Sequence, residues 1–153
     1  MPPKKGSTWS ERRVLVPFDA ERVATACKLL RIGSEVRILS WCQMYAVSRC
    51  GLVLSSYVWK QQPDVPFRVL SRSPGSGGYV LVNIMVDRKR TPRRVHHLVA
   101  ELFLPPPVSG QTEIRHLDGN PQNCHAENLA WGTHQENMQD MVRHGRCSFT
   151  RKK

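Results

Sequence analysis

The stretch from Glu113 to Gly145 constrains the fold more closely than any other part of the sequence. It predicts a short strand over 113–117, a polar loop, a second strand over 129–131 and then a helix that ends before Gly145. Thr133 and Glu136 have the spacing of a capping box, in which their side chains accept hydrogen bonds from backbone amides at the start of a helix. The stretch therefore predicts a compact ββα unit.

The chain ahead of this unit is rich in predicted strands. A helix is expected to begin after Asp19 as its N-cap and to end near Gly33. Alternating, β-prone segments follow at 36–39, 44–47 and 52–54. Two more, at 67–70 and 79–86, flank the glycine-rich segment 73–78, and this arrangement predicts a hairpin.

A second helix is predicted immediately before the ββα unit. Thr91 is a suitable N-cap, and Pro92 fits the first helical position. An apolar stripe at helical spacing continues from there through Val95, Leu98, Val99, Leu102 and Phe103. The fold class expected is therefore α+β, with a small β-rich N-terminal half followed by a helix and the ββα unit.

Charge indicates the kind of partner. Lys and Arg number 23 against 12 Asp and Glu, which gives a formal net charge of +11. Cations at such density favour a polyanionic partner, although charge runs are also found on ordinary solvated surfaces. Two clusters are predicted to contact phosphates: Arg88, Lys89, Arg90, Arg93 and Arg94 form the first, and Arg143 and Arg146 belong to the second.

No apolar run approaches the roughly 18–20 residues that span a membrane. The N-terminus also lacks the apolar stretch of a secretory signal, so we expect a cytoplasmic protein that has no membrane partner. The 5 cysteines are widely spaced and lack a C-x-x-C pair, which argues against a disulfide framework. A zinc site drawn from Cys42, Cys50, Cys124 and His125 is an alternative that the spacing does not require.

All 6 histidines lie between His96 and His144. Within that region the segments 116–120, 128–133 and 136–137 strongly resemble the HNH (His-Me finger, ββα-metal) endonucleases of the phage and group I intron homing type. The helix segment 96–103 is similar to the one that precedes this motif in the family, and 45–55 more faintly resembles a modular segment found ahead of it. The resemblance implies a bacterial host cytoplasm if the chain is phage-encoded.

The resemblance implies a division of the chain into a basic arm (1–18), a helix with a β-rich DNA-binding or modular segment (19–90), an HNH nuclease core (91–146) and a basic tail (147–153). It also implies duplex DNA as the substrate. The oligomeric state, monomer or homodimer, stays open.

The resemblance implies roles for four residues. His116 is the candidate general base, since an imidazole accepts a proton near neutral pH. Asn137 is the candidate ligand of Mg²⁺ or Mn²⁺, hard cations that prefer oxygen, and Asn128 is expected to hold the loop and orient His116. Arg115 stands where several homing relatives have an acidic metal ligand. It is expected to contact the phosphate and the developing charge, or else the nuclease is weakened.

Three other residues have competing interpretations. His96 lies beside the apolar stripe and is expected to be buried and hydrogen-bonded, with metal ligation as the alternative. Asp118 offers a carboxylate, but an Asp-Gly-Asn turn explains it equally well. His134 lies one turn before Asn137, so it is either a second ligand or a surface residue.

The function predicted is a metal-dependent DNA endonuclease of the HNH homing type that hydrolyses phosphodiester bonds. One alternative keeps the nuclease and makes it a phage packaging or degradative enzyme with little sequence preference. Another is a catalytically weakened regulator that binds nucleic acid on the same scaffold, an alternative that Arg115 motivates.

Overall fold

The structure is a computed structural model that describes residues 13–31, 35–59 and 66–146. The sequence-based predictions for the rest of the arm, for Gly33 and for the tail 147–153 lie outside these residues. The chain divides into two compact units, one of Met1–Ser48 with Leu52–Leu70 and the other of Arg49–Gly51 with Ser71–Lys153. Within the described ranges, every helix is too short or too polar to traverse a lipid bilayer.

The first unit combines one helix with antiparallel strands. Strand β1 (Arg13–Leu15) pairs with β5 (Tyr57–Trp59). Four strands form a sheet in the order β2 (Val36–Ile38), β3 (Tyr45–Ser48), β4 (Val53–Ser55) and β6 (Arg68–Val69). Helix α1 (Ala20–Leu30) begins at Asp19, whose carboxylate accepts from the amide of Arg22 at 2.8 Å, so the predicted N-cap is confirmed.

The core of this unit is apolar and joins the helix to the sheet. Its buried members are Phe18, Ala26, Val36, Ala46, Leu54 and Phe67. The last of these precedes β6, which pairs with β4 through Leu54 and Val69. The prediction that 67–70 pairs with 79–86 is therefore wrong, because this segment completes the sheet of the first unit instead.

The second unit begins with a three-stranded antiparallel sheet of β7 (Ser73–Pro74), β8 (Val80–Val86) and β9 (Lys89–Arg94). The glycine-rich turn does close a hairpin, but it joins β7 to β8. Gly77 and Gly78 have φ of 70° and 79°, a left-handed conformation that glycine adopts without strain. The predicted hairpin turn is therefore confirmed, but the strand that precedes it is β7 and not residues 67–70.

Helix α2 (Val95–Phe103) starts later than predicted. Thr91 and Pro92 belong to β9, where they pair with Ile84 and Asn83, so the boundary expected at residue 90 falls within a strand. Pro92 is tolerated there because β9 lies at the edge of its sheet and needs no amide on its outer side. The apolar stripe itself is confirmed, since Val95, Leu98 and Val99 are buried.

The ββα unit completes the second unit as predicted. Strand β10 (Glu113–His116) pairs antiparallel with β11 (Leu129–Gly132), and helix α3 (His134–Arg143) follows directly. Thr133 and Glu136 form both hydrogen bonds of the capping box. Gly145 follows the helix with φ of 65°, which fits the predicted glycine stop.

Candidate active site

His116 ends strand β10 and is largely buried, with an exposed fraction of 8%. Burial is the main cause that lowers its pKa, and Arg146 and His97 add to the effect while Asp118 opposes it. The ring is therefore neutral at neutral pH, which is the form that accepts a proton. His116 also lines a cleft of about 50 Å³ together with Asn137, Asp140 and Arg146.

Asn128 locks the loop that follows His116. Its Oδ1 accepts from the amide of Asp118 at 2.9 Å, and its Nδ2 donates to Asp118 Oδ1 at 2.9 Å and to the carbonyl of Asn123 at 3.0 Å. Asp118 also accepts from the amide of Asn120 at 2.7 Å. These bonds fix the residues next to His116, which is the geometry that an orienting role for Asn128 requires.

Asn137 is held from one side by a residue that the sequence did not single out. Its Nδ2 donates to Glu113 Oε2, and the other oxygen of Glu113 lies 2.7 Å from Nδ1 of His134. Because the amide nitrogen is engaged by Glu113, Oδ1 is the atom that Asn137 can offer to a cation. A hard amide oxygen fits Mg²⁺. Side chains alternate along a strand, so Glu113 lies on the same face of β10 as Arg115. This alternation is the sequence pattern that could have indicated Glu113.

Arg115 connects strand β10 to helix α3. Its Nε donates to Asp140 Oδ2 at 2.7 Å, and its Nη1 lies 3.4 Å from Glu136 Oε1. Gly132, its near neighbour on β11, has no side chain, and a Cβ there would collide with Arg115 Cδ. Arg115 is not among the described residues that line the cleft. These contacts hold the Arg115 side chain between β10 and α3, and nothing in the sequence pointed to Glu136 and Asp140 as its partners.

A group of aromatic rings packs behind His116. The rings of His96 and His116 lie 4.8 Å apart at 72°, and Tyr79 lies 4.9 Å from His96 and 5.8 Å from His116. His96 is buried as predicted, but its Nδ1 has no hydrogen-bond partner, so the expected satisfied imidazole is only partly found. A potential ligand atom of His96, of His116 and of Cys124 lies within 4.8 Å of the other two. The zinc set considered from sequence shares only Cys124 with this group.

Acidification is expected to destabilise the protein through His96. Burial, followed by His116, His97 and Arg94, lowers the pKa of His96 from 6.5 to about 3. Between pH 6.5 and about 3 the unfolded chain therefore binds a proton at His96, whereas the folded chain does not. The free energy of unfolding falls as the pH drops through this range. This group alone contributes a slope approaching ~1.4 kcal/mol per pH unit.

Urea denaturation between neutral pH and about pH 5, above the usual range of carboxylate titration, measures this slope. The side chain in His96→Gln cannot titrate, so this variant is expected to show a smaller slope than the parent. An unchanged slope in that variant would mean that His96 is protonated equally in the folded and unfolded chains.

The basic residues predicted to hold phosphates are exposed. They are Arg88, Lys89, Arg90, Arg93, Arg94, Arg143 and Arg146. Arg88 lies in the tight turn between β8 and β9, and Arg94 stacks its guanidinium 4.9 Å from the ring of Tyr79. Tyr79 and Arg146 both line the cleft, so each cluster contributes one cation beside it.

Comparison with known proteins agrees with this geometry. Residues 93–139 match the family model described as HNH endonuclease. The solved structure described as "DNA binding and cleavage by the HNH homing endonuclease I-HmuI" matches with a TM-score of 0.60 and 25% sequence identity over 74% of this chain. The match spans 61% of the length of that chain. No significant match is found among curated proteins.

Proposed function

We propose that this chain, whose residues 93–139 form an HNH endonuclease domain, is a metal-dependent endonuclease of the homing type that hydrolyses phosphodiester bonds in duplex DNA. The observation that carries the proposal is the placement of a buried, neutral His116 and of Asn137 along one cleft. I-HmuI, which resembles 74% of this chain, is an HNH homing endonuclease that binds and cleaves DNA. This supports both the reaction and the substrate.

His116 acts as the general base in this proposal. Its neutral ring removes a proton from the attacking water, and its position at the end of β10 is fixed by the loop that Asn128 holds. Asn137 would hold Mg²⁺ or Mn²⁺ through Oδ1, and Glu113 fixes the orientation of the amide by accepting from its Nδ2. When bound, the cation neutralises charge on the scissile phosphate and the leaving oxygen.

DNA is held by the two exposed basic clusters, of which Arg94 and Arg146 stand beside the cleft. Arg–phosphate contacts position a duplex without reading its sequence. The segment 19–90 is the proposed DNA-binding or modular part and 91–146 is the proposed nuclease core, with the boundary between them lying inside β9. Arg115 stays a candidate for a phosphate contact, but the ion pair with Asp140 favours a positioning role.

Asn137→Ala is expected to raise the Mg²⁺ concentration needed for cleavage and to lower the maximal rate, because the variant removes the proposed protein ligand of the cation. Loss of a contact that only supports a metal ligand costs about 10- to 100-fold in affinity or activity, and loss of the ligand itself should cost at least as much. Cleavage rates over a Mg²⁺ titration measure the effect. Gln135→Ala, at an exposed position on the same helix, is the matched control and should leave the titration unchanged.

An unchanged Mg²⁺ dependence in Asn137→Ala would mean that residues other than Asn137 bind the metal. Glu113→Gln provides an intermediate case, since it leaves Asn137 in place but weakens the contact that orients the amide. A smaller shift in the same direction is expected for it.

A DNA-binding protein that does not cleave is the second candidate, and one observation favours it. The residue immediately before His116 is Arg115 and not an acidic residue. Such a protein would retard duplex DNA in a salt-dependent manner while leaving the strands intact at every metal concentration.

A further inference from the structure

Three buried side chains with metal-binding chemistry meet behind the proposed general base. His96 lies on α2, His116 ends β10, and Cys124 lies in the loop that precedes β11. Their exposed fractions are 2%, 8% and 2%. One potential ligand atom from each lies within 4.8 Å of the other two. Three segments that are distant in sequence thus converge on one point.

Two nitrogens in this group lack a partner. Nδ1 of His96 and Nε2 of His116 are buried without any hydrogen bond. Buried polar atoms in proteins are almost always hydrogen-bonded, and each exception calls for an explanation such as an ion. Burial also lowers the pKa of both rings, which leaves nitrogen lone pairs available at neutral pH.

The donor set selects a class of cation. Two imidazoles and one thiolate suit Zn²⁺ and the similar ion Co²⁺, whereas Mg²⁺ prefers oxygen. Burial raises the pKa of Cys124, so the sulfur carries its proton in the metal-free protein. A bound metal must displace that proton, which passes to solvent. Zinc bonds of about 2.0–2.3 Å bring ligand atoms closer together than the present limit of 4.8 Å. Small side-chain rotations must therefore bring the three ligand atoms closer together when the ion binds.

We propose that His96, His116 and Cys124 form an inhibitory site for Zn²⁺ or a similar thiophilic divalent cation, separate from the Mg²⁺ ligand Asn137. The ion occupies a lone pair of His116 and holds the ring against α2. A ring held in this way no longer removes a proton from water, so the cation stops cleavage while Mg²⁺ is present. The inhibitory effect rests on the proposed nuclease function, but the binding site does not.

Co²⁺ provides a direct probe of the binding site. Titration of the full chain with Co²⁺ is expected to produce the near-ultraviolet charge-transfer absorption of a thiolate–cobalt bond, which Zn²⁺ removes and excess Mg²⁺ does not. Cys124→Ser should abolish the band, and His96→Gln should weaken the affinity by about 10-fold or more. Cys42→Ser is the matched control, because Cys42 is a half-buried thiol outside the group.

Inhibition is measured on the same proteins. Zn²⁺ should arrest Mg²⁺-dependent plasmid cleavage by the parent, and Cys124→Ser should need about 10-fold more Zn²⁺ while retaining the parent rate without it. A cobalt–thiolate band that survives in Cys124→Ser, or equal Zn²⁺ inhibition of both proteins, would overturn the site. A parent that shows the Cys124-dependent band but never cuts DNA would refute the nuclease proposal and leave the metal site standing.

Circular dichroism without metal establishes whether Cys124→Ser folds. Should it not fold, the comparison of the parent with His96→Gln supplies the test. The variant is expected to bind Co²⁺ at least about 10-fold more weakly than the parent, and an affinity equal to that of the parent would refute the site.

Discussion

Replacing His116 with alanine is expected to slow Mg²⁺-dependent DNA cleavage by about 100- to 10,000-fold, the range that general-base catalysis contributes. The loss is expected because the buried, neutral ring of His116 lines the cleft and is the proposed general base. Single-turnover cleavage rates with enzyme in excess measure this change without interference from product release.

His125→Ala is the matched control for that experiment. His125 lies exposed in the loop between β10 and β11, and its removal should leave the rate unchanged. A gel-shift measurement on His116→Ala should give the affinity of the parent for duplex DNA, because the proposed phosphate contacts belong to the two basic clusters and not to His116. If His116→Ala cleaves as fast as the parent, the assignment of the base is wrong.

Arg115→Ala is expected to lower the free energy of unfolding by about 3 kcal/mol. Removal of one partner of a buried ion pair leaves the charge of the other, here Asp140, without compensation. The side chain of Asp140 is only 8% exposed and lies 2.7 Å from Arg115 Nε. The ion pair also joins β10 to α3, the two elements that carry His116 and Asn137. Chemical denaturation measures the loss.

Arg143→Ala separates this role from a general effect of charge. Arg143 lies 3.3 Å from the same carboxylate, but its side chain is 70% exposed, so its removal should cost less than about 1 kcal/mol. Equal losses in the two variants would contradict the positioning role. An Arg115→Ala variant as stable as the parent but inactive would favour the phosphate contact expected from sequence.

Local sequence rules predicted the ββα unit well because its signals are local. The capping box of Thr133 and Glu136 spans a single helical turn, and Gly145 supplies its own stop signal. The start of α2 was misplaced for a different reason. A Thr-Pro pair fits a helix N-terminus, but pairing of Thr91 with Ile84 across the sheet overrode that preference.

Contacts between distant residues were beyond sequence reasoning. Arg115 and Asp140 are separated by 25 positions, and nothing in their local sequence indicates that they meet. The convergence of His96 and Cys124 on His116 depends likewise on how α2 and the loop pack against β10. The resemblance to a known family identified the candidate site residues, whereas their supporting partners required the structure.

We propose above all that this chain cuts duplex DNA with the help of a divalent metal. Incubation of supercoiled plasmid with the purified full chain, with Mg²⁺ and with a chelator in its place, tests it most directly. We predict conversion to nicked or linear DNA with Mg²⁺ and none with the chelator. Plasmid that is retarded on a gel yet stays supercoiled at every Mg²⁺ or Mn²⁺ concentration would contradict the claim.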